Sequence, residues 1–262
     1  SGNLQNVISL DAFAIESTEV LFGSGSDLYG SDAIGAVMSF ETLRPEFSLR
    51  ENPIIAGTAT TRYASASDER TGHFDVHLGW EKCAFVSSFT YTDFDNLRMG
   101  KDGPKDYLRT WYVRRIHSED LIVPTTAPLP QIETAYSQLN VMQKAAFKAN
   151  EKWLFEYGLH YSETSDIPRY DRLNETRDGL PRNAELYYGP QVWMMNQLSI
   201  NHKLSNQFYD EMSVKLAVQD FQESRNDRRF QSDILRMRRE EVRAYSANID
   251  FIKSLSEGAR IY

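Results

Sequence analysis

Apolar and polar side chains alternate along this chain, and the alternation is clearest around Val76, Tyr157 and Leu216. Side chains of a strand point alternately to its two faces, so a period of two predicts a strand with one apolar and one polar face. We expect one face to carry Phe74, Val76, Leu78, Trp80, Phe155, Tyr157, Leu159, Val214, Leu216 and Val218, and the opposite face to carry His77, Glu156, His160 and Lys215.

Weaker alternation predicts five further strands, and a ninth strand begins at Ala259. The five segments are 54–66, 83–94, 137–149, 191–203 and 242–254. Each is near the ~9 to 11 residues with which a tilted strand crosses a bilayer, or slightly longer. No apolar run approaches the roughly 20 residues that a membrane-spanning helix needs, so spanning by helices is not predicted.

The predicted connections alternate between short and long, which indicates how the strands are arranged. Short links lie at 81–82, 150–152, 204–207 and 255–258, and another short link lies at 67–70. Long polar links lie at 95–136, 164–190 and 223–241. Outer-membrane barrels have short turns at one rim and long loops at the other. The pattern therefore predicts an all-β, antiparallel up-and-down barrel wall that spans a membrane.

Composition argues against some function classes but is compatible with a membrane barrel. Mean hydropathy is −0.52, but a barrel exposes every second residue to water, so this low value does not argue against a membrane location. The net charge of −8 argues against a general nucleic-acid binder, because phosphate contact needs positive fields. The single cysteine, Cys83, excludes an internal disulfide and a cysteine-based zinc site.

A glycine-rich segment near the start of the chain carries a resemblance to a known family. Residues 19–40 read Glu-Val-Leu-x-Gly, then Leu-Tyr-Gly-Ser-x-Ala-Ile-Gly, then a strand, and they contain Gly23, Gly25, Gly30 and Gly35. This pattern resembles the closing segment of the plug domain in TonB-dependent outer-membrane receptors. We expect Gly30 or Gly35 to adopt positive φ or to lie where a Cβ would strike a neighbour.

Other stretches both extend and limit this resemblance. Segments 157–173 and 187–196 are similar to receptors of the Bacteroidetes type. Most family members carry Arg, Pro and Gly at the positions of Phe22, Ser24 and Ala36. The missing arginine argues against an ionic latch between plug and wall at Phe22.

The resemblance implies a domain organisation and a function. Residues 1–43 would be the C-terminal part of a plug, 44–53 a linker, and 54–262 the first eight or nine strands of a barrel with about 22. The chain would then be a fragment of a receptor in the bacterial outer membrane. The receptor would import a scarce large nutrient by TonB-dependent active transport. An iron–siderophore chelate is the leading cargo, before cobalamin, haem or an oligosaccharide.

The same resemblance implies which partners the protein has. It would contact outer-membrane lipid, its cargo and the TonB energy-transducing complex, the last through a segment that this chain lacks. No catalytic residue, metal site or cofactor is expected, and no nucleic-acid partner.

Two other function classes remain open. A small outer-membrane barrel that serves as an adhesin or anchor would need only eight strands, but the plug-like segment and the ninth strand argue against it. A soluble β-rich carbohydrate-binding module would require the apolar faces to pack against one another. Extraction behaviour separates the last case, because a membrane barrel needs detergent.

Aromatic and cationic residues lie together in two of the long links, a combination that binding surfaces favour. Packing of the loops against themselves is the alternative explanation. The predicted contacts with a substrate are Tyr107, Trp111, Tyr112, Arg114 and Arg115 in the first link, and Arg169, Tyr170 and Arg172 in the second.

Two further clusters could bind ligands. His73-x-Asp75-x-His77 places three potential metal ligands on one strand face, but successive positions are about 7 Å apart, which favours a solvated polar row facing the lumen. Segment 225–243 is rich in arginine and could hold an anionic lipid or chelate. Its carboxylates favour a solvated loop of mixed charge.

Overall fold

The computed structural model describes residues 9–23, 35–104, 108–256 and 259–261, and they form an all-β structure. The helical elements in these ranges are a 3-10 helix at Ala12–Ala14 and a short helix, α1, at Tyr170–Leu173. No helix within the described ranges is both long enough and apolar enough to cross a membrane. The strands are β1 (Ile15–Phe22), β2 (Ala36–Thr42), β3 (Ile54–Ala64), β4 (Glu69–Gly79), β5 (Cys83–Phe94), β6 (Trp111–Ile116), β7 (Glu119–Pro124), β8 (Tyr136–Asn150), β9 (Trp153–Thr164), β10 (Ile167–Pro168), β11 (Thr176–Arg177), β12 (Leu180–Pro181), β13 (Asn183–Tyr188), β14 (Val192–Lys203), β15 (Glu211–Arg229), β16 (Leu235–Ser256) and β17 (Ala259–Ile261).

Eight long strands form one antiparallel sheet in chain order. The order is β3, β4, β5, β8, β9, β14, β15 and β16, and the short strand β17 pairs with β16. Among the described strands, β3 pairs only with β4, so the sheet is open and not a closed barrel. The predicted antiparallel strands are therefore confirmed, including the start of the ninth.

The prediction of a long loop at 223–241 is wrong. β15 continues to Arg229 and β16 starts at Leu235, so most of segment 223–241 is a two-stranded ribbon with a five-residue turn at 230–234. Charged side chains pair across the ribbon, as between Arg238 and Asp227 at 2.9 Å. The polarity of this segment reflects solvated strands and not an irregular loop.

The register confirms the predicted division of side chains between two faces. Leu216 pairs with Leu198, which pairs with Tyr157, and the same row continues to Ala145 and Phe85. All the predicted strand residues of the apolar set share this face, and the four predicted polar residues lie on the other. Trp80 directly follows β4 and stacks edge-on against Phe85.

Exposure of the two faces is opposite to that of an ordinary soluble sheet. On the apolar face, Phe74 and Leu216 are 49% and 43% exposed. On the polar face, Thr71, Ser88 and Ser162 are each 5% exposed or less. From β4 to β9 the sheet thus exposes apolar side chains and buries polar ones, whereas Lys215 on the polar face of β15 is exposed.

The N-terminal segment covers part of the polar face. Phe13 stacks on His73 with ring centroids 5.0 Å apart, and Asp11 accepts a 2.6 Å hydrogen bond from the Thr90 hydroxyl. Ala14 packs into a small apolar cluster with Val86 and Met142. Contacts between residues 11–14 and the sheet therefore explain the burial of polar residues in β4 and β5.

A second contact lies at the rim of the short turns, where the chain enters the sheet. The Ser48 N–H donates a 3.1 Å hydrogen bond to the Trp80 carbonyl oxygen. A Cβ on Gly79 would overlap the carbonyl oxygen of Glu46, so only glycine allows this close approach. Residues 43–53, between β2 and β3, contain no helix or strand.

The histidine row of β4 is buried and internally paired. His73 contacts the Thr90 hydroxyl at 2.7 Å and Asp75 at 3.2 Å, and His77 contacts the other Asp75 oxygen at 3.2 Å. Within the described residues, no three His, Cys, Asp or Glu side chains are arranged to hold a metal ion. The expectation of a solvated row is wrong at His73 and Asp75, which are 5% and 7% exposed, and Phe13 covers the His73 ring.

The plug-like glycines are described in part. Gly23 has φ +111° and its N–H donates a 3.0 Å hydrogen bond to the Gly35 carbonyl, which closes the β1–β2 hairpin. The space around Gly35 is open, so Gly35 itself does not meet the expectation of a close approach. Gly25 and Gly30 lie outside the described residues.

Candidate binding site at the long-loop rim

The long connections all lie at one rim of the sheet, as predicted. The first, between β5 and β8, contains the β6–β7 hairpin, and the second, between β9 and β14, contains α1 and β10 to β13. The β15–β16 turn lies at the same rim because the strands alternate in direction. The predicted substrate contacts all belong to the first two connections.

A buried ion pair joins these connections to the sheet. Arg228 donates two hydrogen bonds to the Asp120 carboxylate, at 2.7 and 2.9 Å, and a third to Glu185 at 2.8 Å. The Gln231 N–H also donates to Asp120, at 2.7 Å. A two-pronged arginine–carboxylate pair fixes both position and orientation. It therefore holds the β6–β7 hairpin against β13 and the β15–β16 turn.

The protonation of Asp120 reflects this arrangement. Burial raises the pKa of the carboxyl group, but the hydrogen bonds from Arg228 and the Gln231 N–H, with the charge of Arg115, outweigh burial. The pKa of Asp120 therefore lies below its usual range. The ionised carboxylate is the form that holds the three loop segments together.

Arg115, a predicted substrate contact, belongs to the same ion-pair cluster around Asp120 and Arg228, which we call the joint. Its guanidinium pairs with Asp233, lies 3.7 Å from Asp120 and donates to the Ser232 carbonyl at 3.3 Å. These contacts anchor the turn at 230–234. The structure thus places Arg115 in loop self-packing, the alternative that the sequence left open.

A second buried arginine, Arg109, brings two predicted residues together. Its guanidinium lies 4.5 Å from the centroid of the Trp111 ring and 5.7 Å from that of Tyr170. It pairs with Glu133 at 3.2 Å, while nothing in the described part of the chain accepts a hydrogen bond from its Nε or Nη2. Burial raises the pKa of Glu133, and the charge of Arg109 opposes that rise.

Sequence reasoning missed Arg109. It lies two positions before Trp111. A cation at this spacing from an aromatic residue was the signal in the sequence that could have identified it. Its burial depends on α1 of the other long connection, which the sequence pattern does not locate.

An arginine-rich cavity of about 300 Å³ lies beside this joint. Two predicted residues, Arg169 and Arg172, line it, and β13, β15 and β16 supply the other walls. The charged residues that line it are Arg169, Arg172, Glu175, Arg182, Arg225, Asp227, Arg229 and Arg238. We call it the arginine cavity.

Tyr188 and Glu175 hold the guanidinium groups of the arginine cavity in place. Arg169 donates a 2.5 Å hydrogen bond to the Tyr188 hydroxyl, and Arg169 and Arg225 both lie over the Tyr188 ring, at 5.1 and 5.7 Å. Glu175 accepts hydrogen bonds from Arg172 and Arg182, at 2.7 and 2.8 Å. Four of the six guanidinium groups are therefore positioned by the protein itself.

The remaining predicted residues lie apart from this cavity. Arg114 lies over the ring of Tyr112 at 5.7 Å, both on β6. Tyr107 lies outside the described residues. The structure thus gathers Trp111 with Tyr170, and Arg169 with Arg172, but forms no single cluster from all the predicted contacts.

Comparison with known proteins assigns no family to the chain. A scan against protein-family models found no match. A search of curated proteins found no significant match.

Proposed function

We propose that this chain forms the tail of the plug and the first part of the barrel wall of a TonB-dependent outer-membrane receptor. In this proposal the receptor imports a scarce large nutrient, with an iron–siderophore chelate as the leading cargo. The observation that carries the proposal is the arrangement of the sheet, which exposes apolar side chains on one face and buries polar ones on the other.

The exposed face fits a lipid contact better than a soluble protein. Soluble monomers rarely expose a continuous apolar patch of more than a few hundred Å². Here the apolar rows extend from β4 to β16, where Tyr245 and Ile249 are 73% and 60% exposed. The outer surface of a membrane barrel has this character, while its interior is polar. A soluble carbohydrate-binding module would cover such a face.

The position of the N-terminal segment supports its assignment to a plug. It lies on the polar face, which in the proposal is the lumen side. Besides the packing of Phe13 and Ala14, hydrogen bonds hold it to the sheet, such as the 3.0 Å bond from Lys144 Nζ to the Thr42 carbonyl and that from Thr90 to Asp11. Because water can replace such bonds at modest net cost, a mechanical pull could displace the segment from the wall.

The open sheet supports a partial wall over a complete small barrel. Its first strand, β3, and its last long strand, β16, do not pair with each other. An adhesin or anchor built from eight strands would close on itself to remove these edges. Further strands of a larger barrel would cover them.

The experiment is expression of the full-length gene product in a Gram-negative host with and without a functional TonB complex. We expect the protein in the outer-membrane fraction, soluble only in detergent, and nutrient uptake that stops without TonB while surface binding persists. A protein that stays soluble without detergent would support the carbohydrate-binding alternative. Outer-membrane location with no TonB-dependent uptake would support the adhesin or anchor.

A further inference from the structure

We propose that the arginine cavity binds a small ligand that carries two or more carboxylate or phosphate groups. The role of this ligand as cargo, or as the anionic part of a cargo, rests on the proposed function. The binding chemistry itself rests only on the residues that line the cavity.

Guanidinium groups are the natural partners of these anions. The planar fork of arginine donates two parallel hydrogen bonds to a carboxylate or a phosphate, and such charged bonds are among the strongest in proteins. Six arginines and two carboxylates line the arginine cavity. Their supply of N–H donors exceeds what the two lining carboxylates can accept.

Nearby carboxylates neutralise part of this charge but leave some arginines available. Asp171 holds Arg169, Glu223 and Glu240 hold Arg225, and Asp227 holds Arg238. Glu175 serves both Arg172 and Arg182, and Asp171 also lies 3.8 Å from Arg172.

Arg229 supplies a further cation. Within the described ranges, no carboxylate lies within ion-pair distance of it. The six lining arginines thus face five carboxylates, so the cavity and its ion-pair partners keep a net positive charge.

The site is organised before any ligand arrives. Tyr188 is 8% exposed and orders Arg169 and Arg225 by stacking and a hydrogen bond. Binding sites whose donors are held in place lose less entropy when the ligand is ordered. This feature distinguishes the cavity from a surface patch of mobile arginines.

The size of the cavity limits the ligand. A volume of about 300 Å³ is at the lower end of the range for small-molecule sites. It suits a compact polycarboxylate or a diphosphate group. An uncharged oligosaccharide of several rings would not fit and would leave the arginines without partners.

The test uses the purified full-length protein in detergent and measures binding by calorimetry. The probes are citrate, inorganic pyrophosphate and the neutral sugar maltotriose. Arg238→Gln removes a lining guanidinium, and Arg239→Gln is the matched control, because Arg239 is the next residue of β16 and lies on the opposite face. The two side chains are similarly exposed, at 71% and 65%.

We expect citrate or pyrophosphate to bind, with affinity about tenfold lower in Arg238→Gln and unchanged in Arg239→Gln. No binding of either anion, equal losses in both variants, or binding of maltotriose alone would overturn the inference. Displacement of bound citrate by lipopolysaccharide would also overturn it, by assigning the cavity to lipid phosphates.

The outcomes separate this inference from the proposed function. TonB-dependent uptake without anion binding would remove the inference and leave the proposed function intact. Anion binding by a protein that needs no detergent would keep the inference and remove the membrane receptor.

Discussion

Asp120 accepts two parallel hydrogen bonds from Arg228, although 108 positions separate them in the chain. Both side chains are almost completely buried. The pair joins the β6–β7 hairpin, which is an excursion from the main sheet, to the rim end of β15. Arg228 lies on β15 between Arg225 and Arg229, which line the arginine cavity. The position of the hairpin and the shape of the cavity therefore both depend on β15.

Removal of Arg228 tests this joint. Arg228→Gln removes the two-pronged partner of the buried Asp120 carboxylate and leaves Arg115 at 3.7 Å. Breaking a buried pair costs about 3 to 5 kcal/mol, and the remaining charge of Arg115 places the expected cost at the lower end of that range. Hydrogen exchange of residues 111–124 measures the free energy of local opening of the hairpin. We expect this free energy to fall by about the same amount, or to zero if the hairpin's opening free energy is smaller. Arg236→Gln, on the exposed neighbouring strand, is the control. Equal protection in both variants would show that other contacts hold the hairpin.

The same joint should be sensitive to acid. Because the pKa of Asp120 is lowered in the folded protein, its ionised form stabilises the fold above the unfolded pKa of about 3.9. This stabilisation is lost as the pH falls from about 4 through the lower folded pKa. Fluorescence of Trp111, with the other three tryptophans replaced by Phe, should change in that window. The change should be absent in Asp120→Asn, and a change that persists there would point to a different group.

Gly79 tests the contact between the linker and the wall. Gly79→Ala should push the Glu46 backbone away from β4, because the added Cβ has no space. Gly72→Ala, in the same strand, is a matched control since nothing lies within 4 Å of its Cβ position. We expect faster proteolysis of residues 43–53 in the first variant only. Identical digestion of both variants would count against a close approach at Gly79.

Leu216 tests the apolar face. In the full-length receptor, Leu216→Arg should cost about 2 to 4 kcal/mol if the residue lies near the middle of the bilayer. Ser246→Arg is the control, because Ser246 lies on the opposite face of the adjacent strand. The measurement is the unfolding free energy in lipid vesicles. An equal cost for both variants would mean that the two faces do not differ in environment.

The strands could be predicted because their alternation is local. A shift of one residue would exchange the two faces, so the pattern around Phe74, Phe155 and Val214 determined the register of each strand. The ribbon at 223–241 was missed since charged residues weaken the alternation there, although strand pairing continues.

The loop contacts could not be predicted from the sequence in the same way. Arg109 lies against Tyr170 of another connection as well as Trp111 of its own, and Asp120 finds its partner far along the chain. The burial of His73 likewise depends on Phe13, which lies in a separate part of the chain. Sequence pattern indicates which face is polar, but not what packs against it.

Contact between the apolar face of the sheet and lipid can be measured with a fluorophore attached to a single cysteine. The cysteine replaces Leu216 or Ser246, in a Cys83→Ser background of the full-length protein in vesicles. Lipids with a quenching doxyl group on the acyl chain should quench strongly at Leu216 and weakly at Ser246. Weak quenching at both positions, or stronger quenching at Ser246, would show that the apolar face does not contact lipid.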